Sequence, residues 1–146
     1  MNPYSKASKH TQKYQKSAAN VIDKGRMIIL LYKAAIRHLN IASEKIQQQK
    51  IEDTHNSLAK VKSIISELQA SLNMEAGGSV SEGLQKIYTY VYDRLIDANL
   101  HKDQACIDEV INILTTLLQG WETIIDKKGQ PGTPQQRLQT KIKVSI

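Results

Sequence analysis

Apolar residues recur every three or four positions in four stretches of the chain, which is the spacing of one face of an α-helix. The four stripes are Ile28, Leu31, Ala35, Leu39, Ala42 and Ile46; Leu58, Val61, Ile65, Leu68 and Leu72; Leu84, Ile87, Val91, Leu95 and Ala98; and Ile107, Val110, Leu114, Leu117, Trp121 and Ile125. Helices of this length joined by short turns pack antiparallel, each burying one stripe. The pattern therefore predicts an all-α fold, an antiparallel up-and-down four-helix bundle with an extra N-terminal helix or arm.

Residues that start and stop helices mark the predicted boundaries. Gly77 and Gly78 can adopt the left-handed conformation that closes the second helix. Ser79, with Glu82 three residues later, has the form of a capping box that opens the third helix. The other predicted boundaries are N-caps at Asp23 for the first helix and at Asp103 for the fourth, and a helix end before Gly129, Pro131, Gly132 and Pro134.

The hexapeptide IYTYVY at residues 87–92 carries half of the six tyrosines in a chain that has no phenylalanine. Taken alone, its alternation of β-branched and aromatic residues is typical of a strand. The flanking stripe has helical spacing, however, and no turn residue interrupts the chain between Leu84 and Leu100. We therefore expect the hexapeptide to lie in the middle of the third helix, with Ile87 and Val91 toward the core.

The net charge of +6 is unevenly distributed along the 146 residues. Residues 1–26 carry +5 and residues 127–146 carry another +5, so the body between them carries −4. We expect one domain: a mobile N-terminal arm or short helix at 1–20, the helical bundle at 21–126 and a basic polar tail at 127–146. The basic ends are interpreted as solvated segments that aid solubility, with nucleic acid, membrane or an acidic partner as the alternative.

Sequence signatures of catalysis and metal binding are missing. The four histidines fall in separate segments, and no HExxH, CxxC or glycine-rich phosphate loop occurs. The single Cys106 is predicted to be a small core residue, and Asp93 and Asp97 to lie on a solvated helix face. The sequence predicts a protein that is not an enzyme and needs no metal or cofactor. Without an apolar run long enough for a membrane span or secretion signal, a cytoplasmic location is expected.

Two stretches hold more apolar surface than a single stripe can bury. Residues 27–32 and 87–92 surround their helices on nearly every side, so part of each must face away from the shared core. Either the N-terminal arm covers this surplus, or it lines a groove for a partner, for which tyrosine is well suited because it combines apolar area with a hydroxyl that tolerates water. The residues by themselves leave both alternatives open.

Three segments resemble the FliS family of flagellar export chaperones, which bind flagellin. These are IISELQASLNMEAGG at 64–78, LQKIYTYVYDRLIDANL at 84–100 and IDEVINILTTLLQGW at 107–121, and the resemblance covers about residues 21–125. Tyr14-Gln15 and Leu30-Leu31-Tyr32 are similar to family motifs nearer the N-terminus. The chain departs from the family pattern at 23–26, which reads DKGR where the family usually has Ser-Pro-Glu-Lys, and at 33–35.

The resemblance implies a cytoplasmic helical-bundle chaperone whose apolar groove binds the C-terminal segment of flagellin and prevents premature polymerisation before export. It implies that one or more tyrosines of IYTYVY face the client, and it leaves other flagellar export or regulatory proteins as further candidate partners. No nucleic-acid partner is expected. The alternative is a basic-tailed helical adaptor that binds nucleic acid or an anionic regulatory protein. The predicted partner-binding residues are Tyr14, Gln15, Ile28, Ile29, Tyr32, Leu68, Tyr88, Tyr92, Leu95 and Asn99.

Overall fold

The computed structural model describes the backbone of residues 4–127 and the side chains of residues 24–127. In this part of the chain the fold is all-α, as predicted. The four helices are α1 (Tyr4–Gln47), α2 (Ile51–Ala70), α3 (Met74–His101) and α4 (Gln104–Lys127). The predicted tail beyond Lys127 and the helix-ending residues from Gly129 lie outside the described residues.

The first helix begins much earlier than the sequence pattern predicted. α1 runs without a break through Asp23, so this residue is not the N-cap. The reason is local: residues 5–22 are rich in alanine, lysine and glutamine, which favour helix, and contain no proline. The extra N-terminal helix therefore takes the form of an extension of α1.

Residues 30–119 form one compact unit, and the described parts of the chain ends, residues 4–29 and 120–127, belong to a second one. In the larger unit the order of contacts shows antiparallel packing of α2 against α3. Gln69 of α2 donates a hydrogen bond to Thr89, whereas His55, fourteen residues earlier in α2, contacts Asn99 farther along α3. α3 and α4 are likewise antiparallel, since a turn of two residues joins them.

Each helix contributes part of its predicted stripe to the core of this larger unit, and α1 and α3 also contribute Tyr32 and Tyr88, which belonged to no predicted stripe. The largest fully buried side chains are Tyr32 and Leu39 from α1, Leu58, Val61, Ile65 and Leu68 from α2, Tyr88, Val91 and Leu95 from α3, and Ile107, Val110 and Leu114 from α4. One assignment was wrong in α3: Tyr88 occupies the core, and Ile87 is only half-buried.

The glycine pair makes a kink inside α3 and does not end α2. α2 ends at Ala70, and Asn73 caps the first turn of α3 by accepting a hydrogen bond from the Ala76 N–H at 3.1 Å. Gly78 has φ 52° and ψ −130°, a conformation that side chains rarely allow. A Cβ on Gly77 would lie 1.7 Å from the Ser81 hydroxyl oxygen. α3 thus consists of two helical segments joined at Gly78, and the segment after the kink begins at Ser79, where the sequence predicted a helix start.

The boundary between α3 and α4 agrees with the sequence. Lys102 adopts the left-handed conformation with φ 50°, and its N–H bonds to the Ala98 carbonyl. Asp103 then caps α4, accepting a hydrogen bond from the Ala105 N–H at 2.9 Å. The predicted N-cap at Asp103 is confirmed.

In the smaller unit, α1 and α4 approach closely at Gly25. A Cβ added at this glycine would lie 2.7 Å from Cδ1 of Ile125. Gly25 falls in the DKGR segment at which the sequence departs from the family pattern. The departure therefore coincides with a contact that favours a residue without a side chain.

Candidate functional site

The three tyrosines of IYTYVY have three different environments. Tyr88 is fully buried, Tyr92 is half-buried, and Tyr90 is 48% exposed. This follows from the 100° rotation per helical residue, which turns neighbouring side chains to different faces. Tyr90 is thus the tyrosine of this hexapeptide that is most accessible to a partner.

A groove with a volume of about 540 Å³ lies between α3 and α4, within the larger unit. We call it the α3–α4 groove, and it is lined by Lys86, Ile87, Tyr90, Asn112, Ile113, Thr116 and Leu117. Four of these residues are apolar or aromatic, and Lys86 is the charged one. A concave apolar surface with a few polar groups at its margin is the usual form of a peptide-binding site.

The groove exists because both helices carry more apolar residues than the core accommodates. In α3, Val91 faces the core while Ile87 and Tyr90 line the groove. In α4, Leu114 is buried while Ile113 beside it lines the groove. Apolar residues at adjacent positions place apolar surface on two sides of one helix.

A hydrogen-bond network fixes one wall of the groove. The Tyr90 hydroxyl donates to one carboxylate oxygen of Glu109 on α4. The other carboxylate oxygen accepts from Arg94 Nη2 at 3.1 Å, and Arg94 Nη1 lies 3.6 Å from Asp97. The hydrogen bond to Glu109 raises the pKa of Tyr90, since it favours the protonated phenol. The groove tyrosine is therefore linked across the two helices that form the groove.

Four of the predicted partner-binding residues lie in the core. Tyr32, Leu68, Tyr88 and Leu95 have at most 1% of their surface exposed, so they do not reach a partner in this conformation. Leu68 and Leu95 belong to the helical stripes that pack against the other helices. Tyr32 and Tyr88 lie outside the predicted stripes and meet each other in the core, where their hydroxyl groups share a hydrogen bond.

The other predicted residues lie at several places. Ile28, Ile29, Tyr92 and Asn99 are half-buried, and Asn99 donates to the His55 ring at 2.7 Å on the α2 side of α3. Tyr14 and Gln15 belong to α1, but their side chains lie outside the described residues. None of the eight residues whose side chains are described lines the α3–α4 groove. A role for the half-buried residues in partner binding stays a prediction.

Sequence reasoning missed the groove residues Tyr90, Ile113 and Leu117 as contact sites. The surplus of apolar residues at 87–92 was the correct signal for α3. The corresponding signal in α4 was the run of apolar residues at 110, 111, 113, 114, 117 and 118, which exceeds one stripe. These two surpluses come together only when α3 and α4 pack side by side.

Neither a cluster of metal-ligating side chains nor a membrane-spanning helix occurs among the described residues. Within them, no group of three or more histidine, cysteine or acidic residues could hold a metal ion. No helix in the same part of the chain is long and apolar enough to cross a membrane.

The fold and groove together define a helical-bundle protein with an open apolar groove, and comparison with known proteins is consistent with this class. A family model described as "Flagellar protein FliS" matches residues 7–128. The flagellar secretion chaperone FliS of Bacillus subtilis is 29% identical, with 79% of this chain and 85% of that protein covered. FliS of Salmonella typhimurium is 31% identical, with 70% of this chain and 76% of that protein covered. FliS of Campylobacter jejuni is 30% identical, with 76% of this chain and 87% of that protein covered.

Because the family model covers most of the chain, the protein belongs to the FliS family. The relatives are flagellar secretion chaperones, and the family is one of chaperones and not of enzymes. The predictions of family, fold class and a non-enzymatic role are confirmed. The role in flagellar export applies to this chain at the level of the family.

Proposed function

We propose that this protein is a cytoplasmic export chaperone that binds the C-terminal segment of flagellin in the α3–α4 groove and keeps the subunit unpolymerised until export. The observation that carries the site is the open apolar groove, whose wall includes the 48% exposed Tyr90. The identity of the client rests on membership of the FliS family and on the chemistry of the groove.

An apolar groove suits a client segment that is disordered before binding. Ordering such a segment costs conformational entropy, which burial of apolar surface has to offset. Ile87, Tyr90, Ile113 and Leu117 provide this surface, and tyrosine adds contact area with few rotatable bonds. Exposed apolar residues outside the groove, such as Met27 at 62% and Leu30 at 66%, extend the apolar surface of α1.

The mechanism is occupancy. A flagellin segment that lies in the groove is unavailable for packing against other subunits, so assembly is prevented for as long as the complex lasts. Because the effect comes from binding alone, suppression of polymerisation should follow the stoichiometry of the complex, and nucleotide should not be consumed.

Polymerisation of purified flagellin tests the function directly. We expect suppression to rise in proportion to added chaperone and to be complete near one chaperone per flagellin, with no effect of ATP. A flagellin that lacks its C-terminal segment should form no complex. Full binding of that truncated flagellin would exclude the segment as the ligand, and suppression at far lower ratios would indicate capping of filament ends instead.

Substitution of Tyr90 tests the location of the site. Tyr90→Ala should weaken binding of flagellin by roughly tenfold or more while the protein stays folded, since truncation of a central aromatic contact has effects of this size. Leu100→Ala is the matched control, because Leu100 lies on the same helix, is 73% exposed and is outside the groove. Equal affinities of the two variants for flagellin would mean that flagellin binds outside the α3–α4 groove.

The salt dependence of binding separates this proposal from an electrostatic adaptor. The affinity for a client bound in an apolar groove should change little between low and moderate salt. Binding to nucleic acid through basic residues falls steeply with salt because counterions are released. Tight, salt-sensitive binding of RNA with no affinity for flagellin would favour the adaptor.

A further inference from the structure

Charge is unevenly divided along the helical part of the chain. Residues 27–62 carry six lysine and arginine residues and three acids, a net charge of +3. Residues 63–126 carry three lysine and arginine residues and ten acids, a net charge of −7. The later part of α1 and the first half of α2 are therefore basic, whereas α3 and α4, which form the groove, are acidic.

Three of the cations in the basic part come together along α1 and α2 of the larger unit. Lys33 and Arg37 are four residues apart on α1, which places them on the same face. His38 is close enough to both Arg37 and Lys60 of α2 for their charges to act on its ring. The three cations are exposed, and His38 is half-buried. We call Lys33, Arg37, His38 and Lys60 the basic ridge.

The basic ridge has no counter-charge of its own. Within residues 24–127, both ion pairs are made by Arg94 of α3, and none involves a ridge cation. The nearest acids on the two ridge helices, Glu44, Asp53 and Glu67, are each seven residues from the closest ridge lysine or arginine. Seven residues correspond to about 10 Å along a helix axis. The cations are therefore available to an acidic partner.

His38 reports the electrostatic field of the ridge. Its pKa is lowered, first by burial and then by Arg37 and Lys60, so the ring is neutral near pH 7. A carboxylate placed beside these cations would offset their effect and favour the protonated ring. The His38 ring thus distinguishes an anion bound at the ridge from one bound elsewhere on the chain.

We propose that the basic ridge binds an acidic segment of a second protein, at a site separate from the α3–α4 groove. Carboxylates of that segment pair with Lys33, Arg37 and Lys60, and the arginine fork can hold one carboxylate through two hydrogen bonds. The ridge residues belong to α1 and α2, whereas the groove is lined by residues of α3 and α4. The site therefore does not depend on which client occupies the groove.

A short acidic protein segment suits the ridge better than nucleic acid does. A long polyanion would extend from three cations onto helices whose net charge is negative. Tyr32 is the one tyrosine between residues 30 and 64 and is fully buried, so bases would find no exposed tyrosine on which to stack. Ala34 and Ile41, one turn to either side of His38, are half-buried and offer apolar surface to a peptide.

Addition of a poly-glutamate peptide of about 15 residues to the whole chain, at low salt, tests the site. The peptide should shift the NMR signal of the His38 ring and raise its pKa. The double variant Arg37→Gln/Lys60→Gln should bind the peptide roughly three- to tenfold more weakly, because two exposed ion pairs are lost, and its His38 signal should not move. Lys50→Gln/Lys62→Gln removes the same charge outside the ridge, and its His38 signal should respond as in the unmodified protein.

The outcomes separate the ridge from other sites. A bound peptide that leaves the His38 signal unmoved would be held by other basic residues, and equal affinities of the two double variants would have the same meaning; either result overturns the proposal, as would no binding at low salt. A single-stranded RNA of about 15 nucleotides that moves the His38 signal and binds more tightly than the peptide would assign the ridge to nucleic acid instead.

Flagellin binding shows whether the ridge and the groove are separate. Arg37→Gln/Lys60→Gln should bind flagellin like the unmodified protein, and flagellin should leave the His38 signal in place. Weaker flagellin binding by this variant would make the ridge part of the client site and overturn its assignment to a second protein. The effect of Tyr90→Ala on flagellin binding tests the groove independently of this result.

Discussion

Tyr32 of α1 and Tyr88 of α3 are both fully buried, and their hydroxyl groups share a hydrogen bond. Their ring centroids are 6.4 Å apart and the rings are tilted by 50°. The pair links two helices that are far apart in the sequence, and it places a polar interaction inside a mainly apolar core. Since buried polar groups are costly unless paired, each hydroxyl depends in part on the other.

We expect Tyr88→Phe to lower the free energy of unfolding by about 0.5–1.5 kcal/mol, the usual net contribution of one hydrogen bond. The ring stays in place, so packing should be retained. Tyr90→Phe is the matched control, and its effect on stability should be small because Tyr90 is 48% exposed. Urea denaturation measures the free energy of unfolding of both variants. A larger loss in the Tyr90 variant than in the Tyr88 variant would contradict the assignment of Tyr88 to the core.

The same burial predicts a dependence of stability on alkaline pH. Burial, followed by the influence of Tyr32, raises the pKa of Tyr88 well above its ordinary value near 10. Its contribution is fully present below about pH 10 and is lost as the pH rises further, because only the unfolded chain then ionises this phenol readily. Unfolding measured between pH 9 and 11 should show a fall in stability that is smaller in Tyr88→Phe. Identical pH profiles would mean that the phenol is as acidic in the folded protein as in the unfolded chain.

Gly78→Ala should destabilise the protein by about 1–3 kcal/mol, because the kink holds this residue at φ 52° and ψ −130°. Gly83→Ala is a suitable comparison, since Gly83 lies in the same helix without a positive φ. The Tm of Gly78→Ala should therefore fall, whereas the Tm of Gly83→Ala should rise, because alanine favours helix more than glycine does. A neutral effect at Gly78 would show that the kink relaxes into regular helix at little cost.

The hydrogen bond between Tyr90 and Glu109 should matter more for binding than for folding. Tyr90→Phe and Glu109→Ala each release the groove tyrosine from α4, and each should weaken flagellin binding by roughly three- to tenfold. Both remove the bond between Tyr90 and Glu109, and Glu109→Ala also removes the bond from Arg94, so the double variant should be little weaker than Glu109→Ala alone. Calorimetric titration of flagellin into the unmodified protein, the two single variants and the double variant gives the four affinities of a double-mutant cycle. Fully additive losses of binding free energy would indicate that the two residues act independently.

Much of the fold follows from local pattern. The spacing of Leu58, Ile65 and Leu114 predicted their burial, since a helical stripe of apolar residues loses most by facing water. The N-cap at Asp103 was equally predictable, because it depends on a side chain and an N–H two residues away. Pattern was less reliable at the glycine pair, where Gly77 and Gly78 suit a helix end and a kink equally well.

The sequence by itself determined that the chain is helical, which stripes it buries and which family it resembles, because these depend on neighbours within a few residues. Only the tertiary structure decided the faces of the tyrosines: Tyr88, expected at the groove, meets Tyr32 in the core, and Tyr90 lines the groove. The groove itself could not be predicted, because it requires Ile87 of α3 and Ile113 of α4 to lie on adjacent sides of two packed helices. Periodicity shows that a helix has surplus apolar surface, but the packing of the other helices determines which part of it stays uncovered.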